Sequence, residues 1–446
     1  MWRIMVLAVL FAPLAGAQIA VPGLQGLPGV NVPGLPGVGL PGLRRLAPAL
    51  TRTLSSHIQT LEQARKRRIL RLLRRYPRLL ALDPAGNPIV RGEILALGPS
   101  AAALRRARAA GFSILRTQQL SPLALRVVVL RTPLGRSAAF ALATLRRLDP
   151  HGTYAFNHIY TTSGTVTAGA VRPLAAPAGR SGAPSAAPRP VLGLIDGGVD
   201  LSQPVFRGAT IHQHGCGGKS VPSAHGTAVA SLMIGRGGHF AGAAPGAELY
   251  ADNVFCARPT GGSVTAIARA FAWLVRRDVP VINVSLVGPA NALLHAVVRR
   301  VLSRGSLIVA AVGNDGPAAP ALYPAAYPGV IGVTAVGVHR RVLFEAERGP
   351  QVMFAAPGAD IEAARIPSGY APVRGTSFAA PLVAGLLAPR LRVPSPAAAH
   401  AALESLIHRA IHLGGPGRNP VYGYGLLAVG LPHFQPRGKK SWGGGE

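Results

Sequence analysis

Carboxylates are scarce in this chain. Only 16 Asp and Glu stand against 47 Lys and Arg, for a net charge of +31 at pH 7. So few acidic side chains leave little material for a calcium site, which wants several oxygen ligands, often carboxylates. The excess of base would suit nucleic acid or an anionic membrane. It would equally follow from a genome in which Ala, Gly, Pro and Arg rise together, and that reading is preferred. No aromatic-rich basic RNA motif, zinc-finger spacing or basic zipper appears, so no nucleic-acid partner is expected. Beyond the N-terminus no stretch has 18 uninterrupted apolar residues, which argues against a membrane span. Cysteine is nearly absent too: Cys216 and Cys256 are the only two, either bridged or held as buried free thiols. The Pro-Gly-Leu/Val stretch at 18–48 keeps no strict period of three, so a collagen triple helix is excluded and a flexible tether is read instead.

What is present is ordered along the chain. Residues 1–17 read as a signal peptide, with Arg3, an apolar core from Ile4 to Leu14 and "AGA" at the cleavage point. An exported protein, periplasmic or extracellular, is expected, and that compartment permits a disulfide. Residues 49–82 read as a basic amphipathic helix, with Leu and Ile near helical spacing and eight Lys or Arg between Arg65 and Arg78. Its basic stretch 65–78 suits an anionic membrane surface, or a solvated helix packed on the next domain. Residues 83–160 carry a β-α-β-β-α-β pattern, the split βαβ, ferredoxin-like arrangement. Residues 161–190 read as a linker, 191–432 as a second domain and 433–446 as a tail.

The second domain alternates apolar strands ("VLGLID", "AELYADNVF", "VPVINVSL", "SLIVAAVG", "VIGVTAVG") with helical stretches. Strands apolar on both faces suit an α/β fold with a doubly wound, mostly parallel sheet. Three polar residues stand at element ends. Asp196 closes "VLGLI", His225 opens "HGTAVASLMIG" and Ser377 opens "SFAAPLVAG". Singly each has an ordinary explanation, as a cap or a structural side chain. Together they supply a nucleophile, a base and an orienting carboxylate.

The blocks "IDGGVD", "HGTAVAS", "VINVSL", "AAVGNDG" and "GTSFAAPLVAG", in that order, resemble the subtilisin-like serine proteases, whose triad runs Asp, His, Ser along the chain. The resemblance spans roughly 190–430. It departs lightly at Phe378 and Leu382, where the family commonly has Met and His. It implies an exported serine endopeptidase that hydrolyses peptide bonds through an acyl-enzyme, with Asp196 orienting, His225 as base then acid and Ser377 as nucleophile. Asn314 and the Ser377 N–H become the oxyanion donors. Substrate would pair with Ser285, Leu286 and Gly288, and near Gly261 to Ser263. The first specificity pocket would be walled by Ala311, Gly313, Tyr323 and Pro324, with a cis bond at Tyr323–Pro324 and Asp315 at the rim attracting basic side chains. No calcium and no other cofactor is expected. By the same resemblance, 83–160 would be a prodomain, an intramolecular inhibitor of a precursor cut near Tyr160–Thr161, behind an N-terminal region part disordered and part helical. The partners expected are a protein or peptide substrate and the chain's own prodomain. The competing reading is a catalytically silent binding or chaperone protein that keeps the fold.

Overall fold

A computed structural model describes residues 59–166, 189–237, 240–415 and 417–428. The expected signal peptide, tether and tail lie outside the described residues.

The first helix, α1, covers 59–75, inside the expected 49–82; residues 80–82 belong instead to a strand. Leu72, Leu73 and Tyr76, just past the helix end, pack on Leu80, Val90 and Ile159. Of the two readings of this segment, membrane surface or a helix packed on the next domain, the packing of its apolar side on the neighbouring domain matches the second. That domain contains β1 (Leu80–Leu82), β2 (Pro88–Leu97), α2 (Ala101–Ala109), β3 (Ser113–Leu120), β4 (Leu125–Arg131), α3 (Ala138–Leu148) and β5 (Thr153–His158). The antiparallel sheet runs β1-β2-β4-β3, with β5 on the free side of β2. Alternation along the strands gives it two buried faces. Ile94, Ala96, Val128 and Leu130 pack under α2 and α3. Leu95, Val127 and Val129 point the other way, into the core of the larger domain. Ser100 and Ser137 cap the two helices by accepting the N–H of Ala103 and Phe140.

Two short strands follow, β6 (Thr161–Thr162) and β7 (Thr165–Val166). Both belong to sheets of the larger domain, so the expected linker does not begin at 161. The larger domain then runs β8 (Val191–Asp196), β9 (Ile211–Gly215), α4 (Ala224–Ile234), the hairpin β10 (Arg236–Gly237) and β11 (Phe240–Ala241), β12 (Glu248–Asn253), α5 (Val264–Val275), β13 (Val281–Val284) and β14 (Leu286–Val287). It continues through α6 (Ala292–Ser303), β15 (Leu307–Ala311), β16 (Ile331–Val336), β17 (Val352–Pro357), β18 (Ala359–Ala364), β19 (Tyr370–Arg374), α7 (Thr376–Leu387) and α8 (Pro396–Arg409).

Seven strands form one sheet in the order β17-β16-β15-β13-β8-β12-β9, every pairing parallel. Leu192, Leu194, Val281, Val309 and Val333 face α4 and α7. Ile195, Ile282, Val284 and Ile308 face α5 and α6. The chain leaves β8 toward β12 and β9, then returns to build β13 through β17 on the other side. The crevice at the carboxyl ends of β8 and β13 is therefore the switch point where such sheets bind ligands. Among the described residues no helix is long and apolar enough to cross a membrane.

Candidate active site

Asp196 is the last residue of β8 and has no exposed surface. His225 is the second residue of α4, whose start is capped by Ser223 Oγ accepting the Gly226 N–H at 2.9 Å. The His225 Nδ1 lies 2.9 Å from both Asp196 oxygens. Its Nε2 is shielded from solvent and has no hydrogen-bond partner. Ser377 is the second residue of α7, and its hydroxyl is not bonded to that nitrogen. It donates instead to the Ser285 carbonyl at 3.2 Å and accepts the Ser163 N–H at 3.1 Å.

Pro381 sits in the first turns of α7. It lacks the N–H that would meet the Ser377 carbonyl. Ser285 Oγ fills that place, donating to the carbonyl at 3.0 Å while accepting from Asn283 Nδ2 at 2.9 Å.

The chain's own segment 159–166 crosses this site. Ile159 bridges Ser263, and the Tyr160 N–H donates to the Gly262 carbonyl at 2.8 Å. β6 pairs antiparallel with β14, Thr162 opposite Leu286 and Thr161 opposite Val287. β7 pairs with β19 on the far side. Between them the Ser163 carbonyl accepts the Ser377 N–H at 3.1 Å and Asn314 Nδ2 at 2.7 Å. Asn314 is oriented by Thr376, whose N–H donates to Asn314 Oδ1 at 3.1 Å. A carbonyl between a helix-start N–H and a side-chain amide is held where a developing oxyanion is stabilised. The peptide bond held beside Ser377 is thus Ser163–Gly164, three residues beyond the expected Tyr160–Thr161. The physical reason is strand register: Tyr160 is fully buried against Gly288, where any Cβ would lie 2.7 Å from its ring. Gly164 is equally confined, since a Cβ there would meet the Phe378 ring at 2.7 Å.

The remaining expected residues fall around this segment. Gly288 and Tyr323 exchange both backbone hydrogen bonds, at 3.0 and 2.9 Å. The Tyr323–Pro324 peptide is cis. Ala311 ends β15 fully buried. The Gly313 N–H donates to Thr376 Oγ1 at 3.2 Å. Cys216 and Cys256 are joined by a disulfide, Cα–Cα 5.2 Å, after the neighbouring strands β9 and β12. Among the described residues no group of three or more His, Cys, Asp or Glu is disposed to hold a metal ion. Sequence reasoning named Tyr160 as the residue before the cut and missed Ser163 and Gly164. It also missed Glu347, whose carboxyl is fully buried behind Gly313. The hydrophobic–polar break at "HIYTTSG" was the one local signal for the segment.

The Subtilase family (Peptidase_S8) model matches residues 188–425. Over 207 residues the chain is 32% identical to the minor extracellular protease Epr of Bacillus subtilis (strain 168), covering 46% of this chain and 32% of that one. Over 205 residues it is 34% identical to Subtilisin E of the same organism, covering 44% and 53%. The chain thus spans a third to about half the length of these relatives. The fold is similar to that of fervidolysin from Fervidobacterium pennivorans, with a TM-score of 0.61, 19% identity, and coverage of 78% of this chain and 61% of that one. By its sequence over 188–425, the chain belongs to the subtilase family.

Proposed function

We propose that the chain is an exported serine endopeptidase that first cuts its own Ser163–Gly164 bond. One observation carries this reading: the Ser163 carbonyl rests between Ser377 N–H and Asn314 Nδ2, at 3.1 and 2.7 Å.

The step requires the Ser377 hydroxyl to leave Ser285 and turn toward His225. His225 Nε2 then takes the hydroxyl proton as Oγ bonds to the Ser163 carbonyl carbon, and Asp196 holds the imidazolium that forms. The oxyanion gathers between the two donors. His225 passes its proton to the Gly164 nitrogen as the C–N bond breaks, leaving an acyl-enzyme on Ser377. Water, deprotonated by the same histidine, releases the Ser163 carboxylate. Asn314 and the α7 N-terminus act without reorganising, because Thr376 already fixes the amide.

The small domain is the proposed inhibitor of the precursor. After the cut, Ile159 to Thr162 remain paired with Ser263 and β14, as a product held by main-chain bonds. The face containing Leu95, Val127 and Val129 stays buried with α5 and α6 residues such as Phe271 and Val297. Release of that domain opens the groove to a protein or peptide substrate. Export is supported by the "AGA" pattern and by the disulfide.

The test is N-terminal sequencing of the purified protein beside its Ser377→Ala variant. Wild type should begin at Gly164, and the variant should stay intact at 163–164. Equal processing of both would exclude self-cleavage, and no labelling of processed wild type by a fluorophosphonate would leave only a silent fold.

A further inference from the structure

One carboxyl, Asp315, lines the cavity beside the expected first specificity pocket, a second, Glu347, is buried behind Gly313, and the segment in the cleft uses neither. Glu347 has no exposed surface. Its N–H donates to the Gly313 carbonyl at 3.1 Å, and its Oε2 accepts the Leu322 N–H at 3.2 Å. Its Oε1 is buried with no partner. The missing side chain of Gly313 makes the room: a Cβ there would lie 2.5 Å from Oε1 and 2.9 Å from Leu322 Cδ1. Gly313 and Leu322 flank Asn314 and Tyr323, so the carboxyl sits directly behind the pocket wall. A buried polar atom without a partner is costly and rarely incidental.

Asp315 is the second carboxyl. It meets Arg65 Nε at 3.0 Å and Arg68 Nη2 at 3.3 Å, both from α1. A cavity of about 710 Å³ opens there, walled in part by Arg65, Arg68, Gly164, Asp315 and Leu322. In the uncut chain, guanidinium groups already occupy the rim. Ser163 does not enter the pocket, because Asn314 Nδ2 at 2.8 Å and Thr376 Oγ1 at 3.2 Å hold its hydroxyl. A short residue suffices for a cut within one chain, where tethering supplies a high effective concentration.

We propose that Glu347 and Asp315 select an arginine or lysine side chain immediately before the scissile bond, and that Arg65 and Arg68 occupy the rim until the precursor opens. This rests on the protease reading above. An entering guanidinium gives Oε1 its missing partner and gives Asp315 a counterion once α1 departs; the Leu322 side chain turns aside to admit it. Burial, followed by the charge of Asp315, pushes the Glu347 carboxyl up to about 9, against the pull of the Leu322 N–H and Arg65. The empty pocket therefore carries a neutral acid at pH 7, which an incoming cation favours in its ionised form. A leucine in the same place leaves both groups unanswered.

The test uses the self-processed enzyme, freed of its small domain, on two peptides that differ only in Arg or Leu before the scissile bond, following cleavage by mass spectrometry. The arginine peptide should be cut roughly tenfold faster than the leucine peptide, the scale of one charge-assisted hydrogen bond. Glu347→Gln in the enzyme should remove most of that ratio, and Asp315→Asn a smaller part. Melting curves of the same samples identify any variant that has failed to fold, and Asp315→Asn at the rim then provides the second reading. The proposal is overturned if leucine is cut as fast as arginine, or if the ratio survives both carboxyl changes in folded protein. If wild type itself stays uncut, the protease reading falls and takes this one with it. Cutting of wild type with no arginine advantage removes the selector alone.

Discussion

Two aspartates on adjacent strands of the seven-stranded sheet, Asp196 on β8 and Asp252 on β12, each meet a histidine, and the two pairs differ in what surrounds that histidine. Asp196 ends β8, and its register partner on β12 is Asn253. Asp252, one residue earlier, stands opposite His214 on the edge strand β9. The outer pair is the shorter, 2.6 Å between His214 Nδ1 and Asp252 Oδ2, against 2.9 Å for His225 and Asp196. Yet the His214 side chain is 47% exposed and stacks flat on Trp273, while that of His225 is 11% exposed. The far nitrogen of His225 is dry and unpartnered, and its ring lies 5.2 Å from that of Phe378, the residue after Ser377. An imidazole–carboxylate bond is thus not enough to make a base; it needs a proton donor within reach of its other nitrogen.

The comparison breaks most sharply at the nucleophile. Ser377→Ala or His225→Ala should lower cutting at 163–164 by about 10⁶, as for the same groups in subtilisin, read as the rate of appearance of a Gly164 N-terminus. Asp196→Asn should lower it by about 10⁴, through loss of the correct tautomer. Asn314→Ala should lower it by roughly 10²–10³, again on the scale measured in subtilisin. Asp252→Asn and His214→Ala should leave the cutting rate unchanged. A large loss in either would make the outer pair part of the machinery. Their effect should be on stability alone, larger for Asp252→Asn, whose carboxyl is buried, than for His214→Ala, whose ring is half exposed, measured by urea unfolding.

Glu347 sharpens the contrast through pH. Its carboxyl is raised from 4.5 to about 9, so the folded chain keeps a proton that the unfolded chain releases. Stability from this site is full below about 4.5 and is lost progressively as pH rises toward 9. Glutamine, which cannot ionise, should therefore raise the melting temperature more at pH 8 than at pH 5. An equal change at both values would place the carboxyl in a more solvated setting than its burial indicates.

The legible parts of the molecule were those fixed by local chemistry. Apolar runs such as "VLGLI" and "VIGVTAV" declare buried parallel strands, and Asp196, His225 and Ser377 each sit in a short block whose small neighbours let the backbone turn. The helices α4, α5, α6 and α7 lie within a few residues of their expected spans. β9 escaped because "IHQHG" is an edge strand, half exposed and largely polar. α8 was available in principle, from Ser395 as cap and Pro396 at the first turn. The place of Ser163–Gly164 beside Ser377 was not available, because it depends on Thr162 lying opposite Leu286, a pairing between residues far apart in sequence. Glu347 gave no pattern at all. Its meaning comes from Gly313 and Leu322, which only the fold brings to it.

Ser285 has a further consequence for how binding and chemistry are joined. It grips Ser377 twice, donating from its hydroxyl to the serine carbonyl and accepting the serine hydroxyl on its own carbonyl. It also stands at the head of β14, the strand to which the 161–162 segment is added. Strand pairing on β14 and the resting position of the Ser377 hydroxyl are therefore tied through a single residue. Pro381 preserves one of the two bonds, since a residue with an N–H at that position would offer the Ser377 carbonyl a partner inside its own helix.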